Sequence, residues 1–271
     1  MTFLIVFLFI MGLAWGSFLN VVILRTAKSK SFVNGRSECP KCKHQLAWFD
    51  NIPLLSYFLL GKKCRYCKAS ISIIYPVVEL LTGVFFVWWF LIGFGFFKLV
   101  GSPWNVLQPI FWLVIGLNFI VIFVGDLLYM TIPFGLNMAL LGLVTLYRVA
   151  LVVTNNMRFE DFLVAVLSGV FLALFFTFTN RLTNKFRGVD GFGWGDIYLV
   201  PSIGILLGWP KILVSIVFSF VFGSIIGILL VVLGKKKKTD YIPFGPFLIL
   251  GAVFGLLYGS RIWEWYLSLL V

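Results

Sequence analysis

Long apolar runs, each close to the length of a membrane-spanning helix, alternate along the chain with shorter polar segments. A helix needs about 20 apolar residues to cross the ~30 Å hydrocarbon core of a bilayer. The stretches that meet or approach this length are 3–24, 74–97, 110–129, 133–153, 162–180, 196–210, 211–233 and 244–262. The pattern therefore predicts an all-α polytopic membrane protein with about eight transmembrane helices.

Two of these stretches differ from the others in what their lengths imply. The 15 residues of 196–210 make only about 22 Å of helix, so we expect this helix to begin below the interface or to re-enter the membrane. The first stretch is too long for the core of a signal peptide and has no small-residue cleavage site after it. We therefore expect it to be a retained first span.

Composition and charge agree with a membrane protein and indicate its orientation. Hydrophobic residues make up 61% of the chain and charged residues 12%, far from the balance of a soluble domain. Of the 22 basic residues, 17 lie in 25–73, 181–195 and 234–243, which share one face if the N-terminus is outside. The net charge of +12 thus indicates a cytoplasmic location for these segments rather than a nucleic-acid partner, and the run Lys235–Lys238 suits contact with anionic membrane lipid.

The segment 25–73 is the one sizeable polar stretch, and it contains every cysteine of the chain. The cysteines form two C-x-x-C pairs separated by 21 residues: Cys39, Cys42, Cys64 and Cys67. Such pairs can bring four thiolates into the tetrahedron that Zn²⁺ prefers. Two disulfides or a redox dithiol are the alternatives, which a reducing cytosol and the lack of a βαβ pattern disfavour. We predict a structural zinc ion in a cytoplasmic loop domain, with His44 as its neighbour rather than a ligand.

Three acidic residues, Glu79, Asp126 and Asp196, lie in or at the ends of apolar stretches. A membrane-embedded ionisable group costs several kcal/mol unless it is paired, so each is a candidate functional residue. In the predicted topology, the apolar stretch that ends near Asp126 crosses from the outside to the inside. The stretch that begins at Asp196 starts on the inside, so both aspartates are predicted to lie at the cytoplasmic face. Two carboxylates close together share a proton and can activate water against a peptide bond. Helix capping is the alternative for both aspartates, and a structural hydrogen bond is an equal alternative for Glu79.

Glycines accompany both aspartates: Gly125 precedes Asp126, and Gly193 and Gly195 precede Asp196. We expect them to let an extended substrate backbone approach closely and to let the loop adopt positive φ. Because this pattern is short, two other functions stay open: an ion-coupled transporter, which often shows an internal repeat, and a non-catalytic zinc-stabilised assembly protein. No convincing repeat is present, and both aspartates are retained.

With these residues in place, the chain resembles the prepilin peptidases, bifunctional leader peptidases and N-methyltransferases of type IV prepilins and pseudopilins. The matching stretches are "GLAWGSFLNVVILR" (12–25), "CPKC" (39–42), "FDNIPLLSYFLLGKKCRYCKASIS" (49–72), "YPVVELLTG" (75–83), "GD" with "IP" (125–133), "GWGD" (193–196) and "IPFGPFLILGA" (242–252). The resemblance implies a GxGD-type aspartic peptidase core in which Asp126 and Asp196 are the catalytic pair and cleavage needs no metal.

The resemblance also implies a second activity and a division of the chain. The new N-terminal amine is methylated from S-adenosylmethionine by the N-terminal part, where Gly16, Ser17, Asn20 and Glu79 match. The expected divisions are 1–24, the first transmembrane helix; 25–73, a cytoplasmic zinc-binding loop associated with methyltransferase activity; 74–109, the second helix and an outer loop; and 110–271, the membrane aspartic peptidase domain. The expected location is the bacterial cytoplasmic membrane.

One position departs from the family pattern. Where the second aspartate motif commonly has a lysine two residues on, this chain has Tyr198. We expect the tyrosine hydroxyl to replace the missing cation as a hydrogen-bond donor to Asp196.

Overall fold

The computed structural model describes residues 1–32, 35–93, 101–189, 191–237 and 240–270. Within these ranges the chain is helical, and extended pairing is limited to two isolated bridges in the cysteine-rich loop. The chain divides into two compact units, Met1–Val124 and Gly125–Val271, here called unit 1 and unit 2. Several features of the sequence fall outside the described part of the chain: Lys98, Asp190, Lys238, the side chain of Arg187 and residues 94–97 of one expected span.

The structure describes nine α-helices, together with one 3₁₀ turn and one π-helical turn. They are α1 (Thr2–Thr26), α2 (Leu55–Leu59), α3 (Ile74–Trp88), α4 (Trp104–Tyr129), α5 (Phe134–Val153), α6 (Phe159–Arg187), α7 (Trp194–Leu207), α8 (Lys211–Val232) and α9 (Gly245–Ser268). A 3₁₀ turn, Trp48–Asn51, precedes α2, and a π-helical turn, Trp89–Gly93, extends α3. The expected all-α fold is confirmed.

Seven of the described helices are long and apolar enough to cross a membrane. The eighth expected stretch, 196–210, forms α7, whose 14 residues span about 21 Å and fall short of the hydrocarbon thickness. Helices α6 and α9 continue past the ends of their expected apolar runs, to Arg187 and Ser268. Helix α6 extends through the basic segment to Arg187 and ends at Gly188, whose φ of +67° provides the left-handed C-terminal residue.

Small residues on α1 allow this helix to pack closely against α3 in unit 1. A Cβ at Gly12 would lie 2.8 Å from the Cα of Gly83, and one at Gly16 would lie 2.6 Å from the Cα of Glu79. Both distances are shorter than a Cβ can tolerate, so the backbones approach only because these residues lack side chains. This is the small-xxx-small packing typical of membrane helices.

The short helix α7 forms the centre of unit 2, and most of its residues are buried. Its Gly204 packs against Gly169 of α6, where an added Cβ would lie 2.6 Å from the Gly169 Cα. The far end of α7 is held by Arg148 of α5, whose Nη2 donates a hydrogen bond of 3.0 Å to the carbonyl of Leu206. A cation at a helix C-terminus interacts favourably with the unpaired carbonyls there. Arg148 therefore satisfies one of the last carbonyls of this buried helix.

Candidate functional site

The two predicted catalytic aspartates both lie in unit 2, at the ends of different helices. Asp126 is in the last turn of α4 and Asp196 in the first turn of α7, and each residue is 6% exposed. They are close enough for their carboxylates to interact electrostatically. The structure thus brings together two buried acids that are 70 positions apart in sequence.

Asp126 is oriented by the backbone of Gly245, the first residue of α9. The N–H of Gly245 donates a hydrogen bond of 3.0 Å to Oδ2 of Asp126. A Cβ at Gly245 would lie only 2.6 Å from the same oxygen, so a side chain at this position would displace the carboxylate. Sequence analysis missed Gly245 as a site residue. The available signal was a glycine directly before a proline at the start of an apolar helix.

Asp196 differs from Asp126 because one of its oxygens is left free. Its Oδ1 is buried and has no hydrogen-bond partner among the described residues. The N-cap position of α7 is occupied by Gly193, with no side-chain capping bond, and Asp126 lies at the C-terminal end of its helix. Neither aspartate is therefore the N-cap residue, but the backbone N–H of Gly193 interacts with the Asp196 carboxylate, so Asp196 also helps to cap α7. Its free Oδ1 is available to a water molecule or a substrate.

The glycines near the aspartates allow close packing, and they do not adopt unusual backbone angles. Gly193 has φ −65°, and Gly195 lies inside α7, so the expected positive φ is not found at either. A Cβ at Gly193 would lie 3.3 Å from Oδ2 of Asp196, and one at Gly195 would lie 2.9 Å from Cβ of Ile132. Gly125 is less constrained, since an added Cβ would meet only the carbonyl of Thr131 at 3.7 Å.

The loop before Asp196 is anchored to α6 by a polar contact and to several helices by aromatic rings. The backbone N–H of Phe192 donates a hydrogen bond of 3.1 Å to Oδ1 of the buried Asn180. The ring of Phe192 lies 4.6 Å from that of Phe176 and 5.5 Å from that of Phe244, between centroids. Phe244 immediately precedes Gly245, so one aromatic cluster supports the segments that hold both aspartates.

Tyr198 does not take the role expected of it. Its side chain is 41% exposed, and its ring packs against Phe134 and Trp194 at centroid distances of 5.4 and 6.3 Å. No hydrogen bond joins its hydroxyl to Asp196 in the described part of the chain. Two positions along a helix are about 200° apart around its axis, which directs Tyr198 away from the carboxylate.

The four cysteines of unit 1 converge as the spacing predicts. Their sulfur atoms all lie within 4.8 Å of one another, and those of Cys39 and Cys67 are 3.8 Å apart. A disulfide requires about 2.05 Å between sulfurs, so these are free thiols and the disulfide alternative is not supported. Four thiolates bound at about 2.3 Å in a tetrahedron would be about 3.8 Å apart, and the cluster therefore suits a metal ion.

The cluster is built from two equivalent turns, each opened by one C-x-x-C pair. The N–H of Cys39 donates to the carbonyl of His44 at 3.0 Å, and that of Cys64 donates to the carbonyl of Ala69 at 2.8 Å. The His44 ring stacks on Tyr66, with centroids 3.7 Å apart, and lies outside the cysteine cluster. His44 is therefore a neighbour of the cysteine cluster rather than one of its candidate ligands.

Hydrogen bonds favour a charged thiol at one ligand position. Burial acts to raise the pKa of Cys39, but backbone N–H groups of Cys42 and Lys41 together with the thiols of Cys42 and Cys64 outweigh it, and the pKa falls to about 7. The neighbouring thiols raise the pKa of Cys42 to about 11, so Cys39 is the member of this pair that ionises first. The lowered pKa favours the thiolate, which is the form that binds metal.

Asp50 joins the two halves of the cysteine loop. Its nearly buried carboxylate accepts hydrogen bonds of 2.8 Å from Nε of Arg65 and 3.1 Å from the Tyr66 hydroxyl. Burial acts to raise the pKa of Asp50, but these bonds outweigh it and hold the pKa below its ordinary value. The acid therefore stabilises the loop as a carboxylate.

The four residues matched to methyltransferase activity form one cluster where α1 packs on α3. Close packing at Gly16 brings Glu79 next to α1, and the Ser17 side chain lies near the Glu79 carboxylate. Asn20 donates a hydrogen bond of 3.0 Å to the carbonyl of Tyr75, near the start of α3. A cavity of about 380 Å³ opens beside this cluster within unit 1.

Comparison with known proteins places these features in a family. The model of the Bacterial Peptidase A24 N-terminal domain matches residues 10–92, and that of the Type IV leader peptidase family matches residues 112–228. Proteins named prepilin leader peptidase/N-methyltransferase are similar over nearly the whole chain. Those of Aeromonas salmonicida strain A449 and Legionella pneumophila are each 32% identical, over 98% of this chain and 94% of the relative.

A relative of the same name from Pseudomonas aeruginosa is 30% identical over 96% of this chain and 92% of its own length. No solved structure matches the chain significantly. The resemblance inferred from the motifs is confirmed by these matches. With its paired aspartates, clustered cysteines and similarity along almost its entire length, the chain belongs to the type IV leader peptidase family.

Proposed function

We propose that this protein removes the basic leader peptide from type IV prepilins or pseudopilins, using Asp126, Asp196 and water. The observation that carries the proposal is the pair of buried carboxylates at the ends of α4 and α7, within a chain that belongs to the leader peptidase family. Gly125, in the last turns of α4, and Gly193 and Gly195, at the start of α7, are the active-site glycines beside them.

The geometry suits a division of labour between the two acids. The Gly245 N–H favours the ionised form of Asp126, whose carboxylate can accept a proton from a water molecule that attacks the scissile carbonyl. The other carboxyl of the pair, holding the shared proton, polarises that carbonyl and later protonates the leaving amine. The Gly245 N–H keeps Asp126 oriented, and the buried setting excludes bulk water.

The active site and the cysteine loop belong to the cytoplasmic side of a bacterial cytoplasmic membrane, with the N-terminus outside. The clustering of 17 of the 22 basic residues in three polar segments supports this orientation. A prepilin leader is itself basic and stays on the same side, where its scissile bond reaches the aspartates. Prepilins and membrane lipid are the partners, and no nucleic acid takes part.

The four cysteines hold a structural zinc ion. The 3.8 Å between Cys39 and Cys67 sulfurs matches tetrahedral thiolate coordination, and four protein ligands leave no position for a substrate. The ion stabilises 25–73, a loop domain with little apolar core of its own. Cleavage itself belongs to 110–271 and needs no metal.

A second activity methylates the amine exposed by cleavage, with S-adenosylmethionine as the methyl donor. The new amine nitrogen forms a bond to the methyl carbon, the carbon–sulfur bond breaks, the sulfonium becomes a neutral thioether and the amine loses a proton. The cluster of Gly16, Ser17, Asn20 and Glu79 beside a cavity supports a place for this reaction in the N-terminal part.

Mass spectrometry of a prepilin co-expressed with this protein, in a host without its own leader peptidase, tests both activities. The expected product lacks the leader and carries one N-terminal methyl group. A full-length prepilin despite correct membrane insertion and zinc loading would contradict the peptidase, whereas an unmethylated mature pilin would contradict only the methyltransferase.

A further inference from the structure

An apolar face of the short helix α2 points away from the rest of unit 1. Leu55, Phe58 and Leu59 lie at positions i, i+3 and i+4 of this helix and therefore share one side of it, here called the α2 face. They are 52%, 66% and 77% exposed, respectively. Tyr57 lies on the opposite side, where it is buried against the cavity of unit 1. Large apolar side chains that share an exposed face mark an interaction surface.

A hydrogen bond places the start of α2 beside a membrane-spanning helix. The backbone N–H of Leu54, the residue before α2, donates a hydrogen bond of 2.8 Å to Oε2 of Glu79. Glu79 lies about 8 Å along the axis of α3 from Ile74, the first residue of that helix. Helix α3 and its π-helical extension, Ile74–Gly93, are together about 30 Å long, which is comparable to the thickness of the hydrocarbon core. The first turns of α3 therefore lie near the membrane surface, and the start of α2 lies at their level.

Basic side chains next to the α2 face indicate what covers it. Lys62 and Lys63 follow α2 closely, are exposed, and form no ion pair in the ranges that the structure describes. The whole segment 25–73 has ten basic residues and two acidic ones, and both acids pair with cations of the same loop. A basic leader peptide would be repelled here, whereas the headgroups of anionic phospholipids would be attracted. Apolar side chains flanked by lysines are also typical of segments that lie in the membrane interface.

We infer that the α2 face is a lipid-contact surface, inserted into the interface of the membrane that α1 and α3 cross. Its three apolar side chains contact acyl chains, and Lys62 and Lys63 contact the phosphates of anionic phospholipids. Trp48, which is 79% exposed in the 3₁₀ turn packed beside α2, adds an indole of the kind enriched at membrane interfaces. The lipid contact is a third attachment of the cysteine loop to the membrane, in addition to its covalent links to α1 and α3. It goes beyond leader cleavage and amine methylation and requires neither.

Photo-crosslinking to lipid tests this inference. The photoreactive residue p-benzoylphenylalanine replaces Phe58 or Leu59 in the full-length protein, which is purified in the presence of zinc and placed in nanodiscs of equal parts phosphatidylcholine and phosphatidylglycerol. We expect phospholipid adducts at either position, with phosphatidylglycerol about twofold or more over phosphatidylcholine. Gln45, an exposed polar position of the same loop, is the matched control and should give about tenfold fewer adducts. No lipid adduct at Phe58 and Leu59, or as many at Gln45, would overturn the inference.

A double variant tests the part assigned to the lysines. Lys62→Gln with Lys63→Gln should abolish the preference for phosphatidylglycerol and change the total number of adducts at Leu59 by less than about twofold, because the apolar contact is kept. Lys41→Gln with Lys43→Gln, which changes two exposed lysines of the first cysteine turn, should keep the preference. A preference that survives Lys62→Gln with Lys63→Gln would overturn the contact of these lysines with anionic lipid.

A prepilin that retains its leader, added to the same nanodiscs, tests the other possible occupants of the α2 face. The lipid adducts at Phe58 and Leu59 should persist at the same level in its presence. Their replacement by adducts to the prepilin, or by adducts to a second copy of this chain, would overturn the assignment of the face to lipid.

Discussion

Asp126 and Gly245 are joined by a hydrogen bond of 3.0 Å across 119 positions of the chain. The donor is a backbone N–H and the space around the carboxylate exists only because Gly245 has no side chain. The start of α9 is therefore part of the candidate active site. The orientation of Asp126 therefore depends on Gly245, which has no reactive side chain.

Gly245→Ala should impair leader cleavage without unfolding the protein. The added Cβ would lie 2.6 Å from the Asp126 oxygen, and a displacement of about 1 Å at a catalytic group can cost about 10²-fold in rate. The rate is measured with a purified prepilin in detergent. Gly142→Ala, where an added Cβ meets open space, is the control and should cleave normally. Normal cleavage by Gly245→Ala would show that this contact does not orient Asp126.

Gly195→Ala and Gly125→Ala should have opposite effects on the free energy of unfolding of unit 2. A Cβ at Gly195 would lie 2.9 Å from Ile132, and such overpacking costs about 1–3 kcal/mol. At Gly125 the added methyl has room, and alanine in a helix is more stable than glycine by about 0.5–1 kcal/mol. Reversible unfolding in mixed micelles measures both.

The double variant Gly195→Ala with Ile132→Ala identifies the cause of the first effect. If the clash with Ile132 is responsible, the two changes will be non-additive, and the second will recover part of the stability lost by the first. Additive losses would place the cost of Gly195→Ala elsewhere.

Arg148→Met should destabilise unit 2 by about 1.5–3 kcal/mol, the range for a hydrogen bond from a charged group. The change leaves the Leu206 carbonyl at the end of α7 without its donor. Arg148→Lys should recover part of the loss, because it keeps the charge. Arg261→Met alters an exposed arginine of α9 and is the control. An unchanged free energy of unfolding in Arg148→Met would mean that α7 does not need this cap.

Hydropathy was sufficient to predict most spans, and the cost of charge in lipid was sufficient to select Asp126 and Asp196. The cysteines were recognisable because metal ligands repeat at a fixed spacing. Gly245 was not, because a backbone donor 119 positions away leaves no side-chain pattern near Asp126. Arg148 is one of the five basic residues outside the three basic segments, and only the end of α7 beside it reveals its contact.

For Tyr198, by contrast, the sequence motif led to a prediction that the structure does not bear out. Its position in the motif suggested a hydrogen-bond donor for Asp196, since a family pattern fixes sequence distance but not direction around a helix. The ring instead packs beside Phe134 and Trp194. Helical geometry decided this contact, and the sequence contained that information.

Replacing one cysteine should remove the zinc ion that we propose for the loop. Elemental analysis of the purified protein is expected to find about one zinc per chain, and Cys64→Ser should lose most of it because three thiolates bind the ion more weakly. Ser37→Ala, close to the first pair, should keep its zinc. Full zinc occupancy in Cys64→Ser would contradict coordination by the cysteine cluster.

Leader cleavage by Asp126→Asn and Asp196→Asn, measured side by side with purified prepilin, tests the proposed aspartate pair most directly. Either change keeps the shape of the side chain but removes the group that exchanges a proton, so each rate should fall by about 10³-fold or more. Asp240→Asn, at an exposed loop position, should cleave at the unaltered rate. Cleavage at a normal rate by either Asp126→Asn or Asp196→Asn would contradict an aspartic peptidase built on this pair.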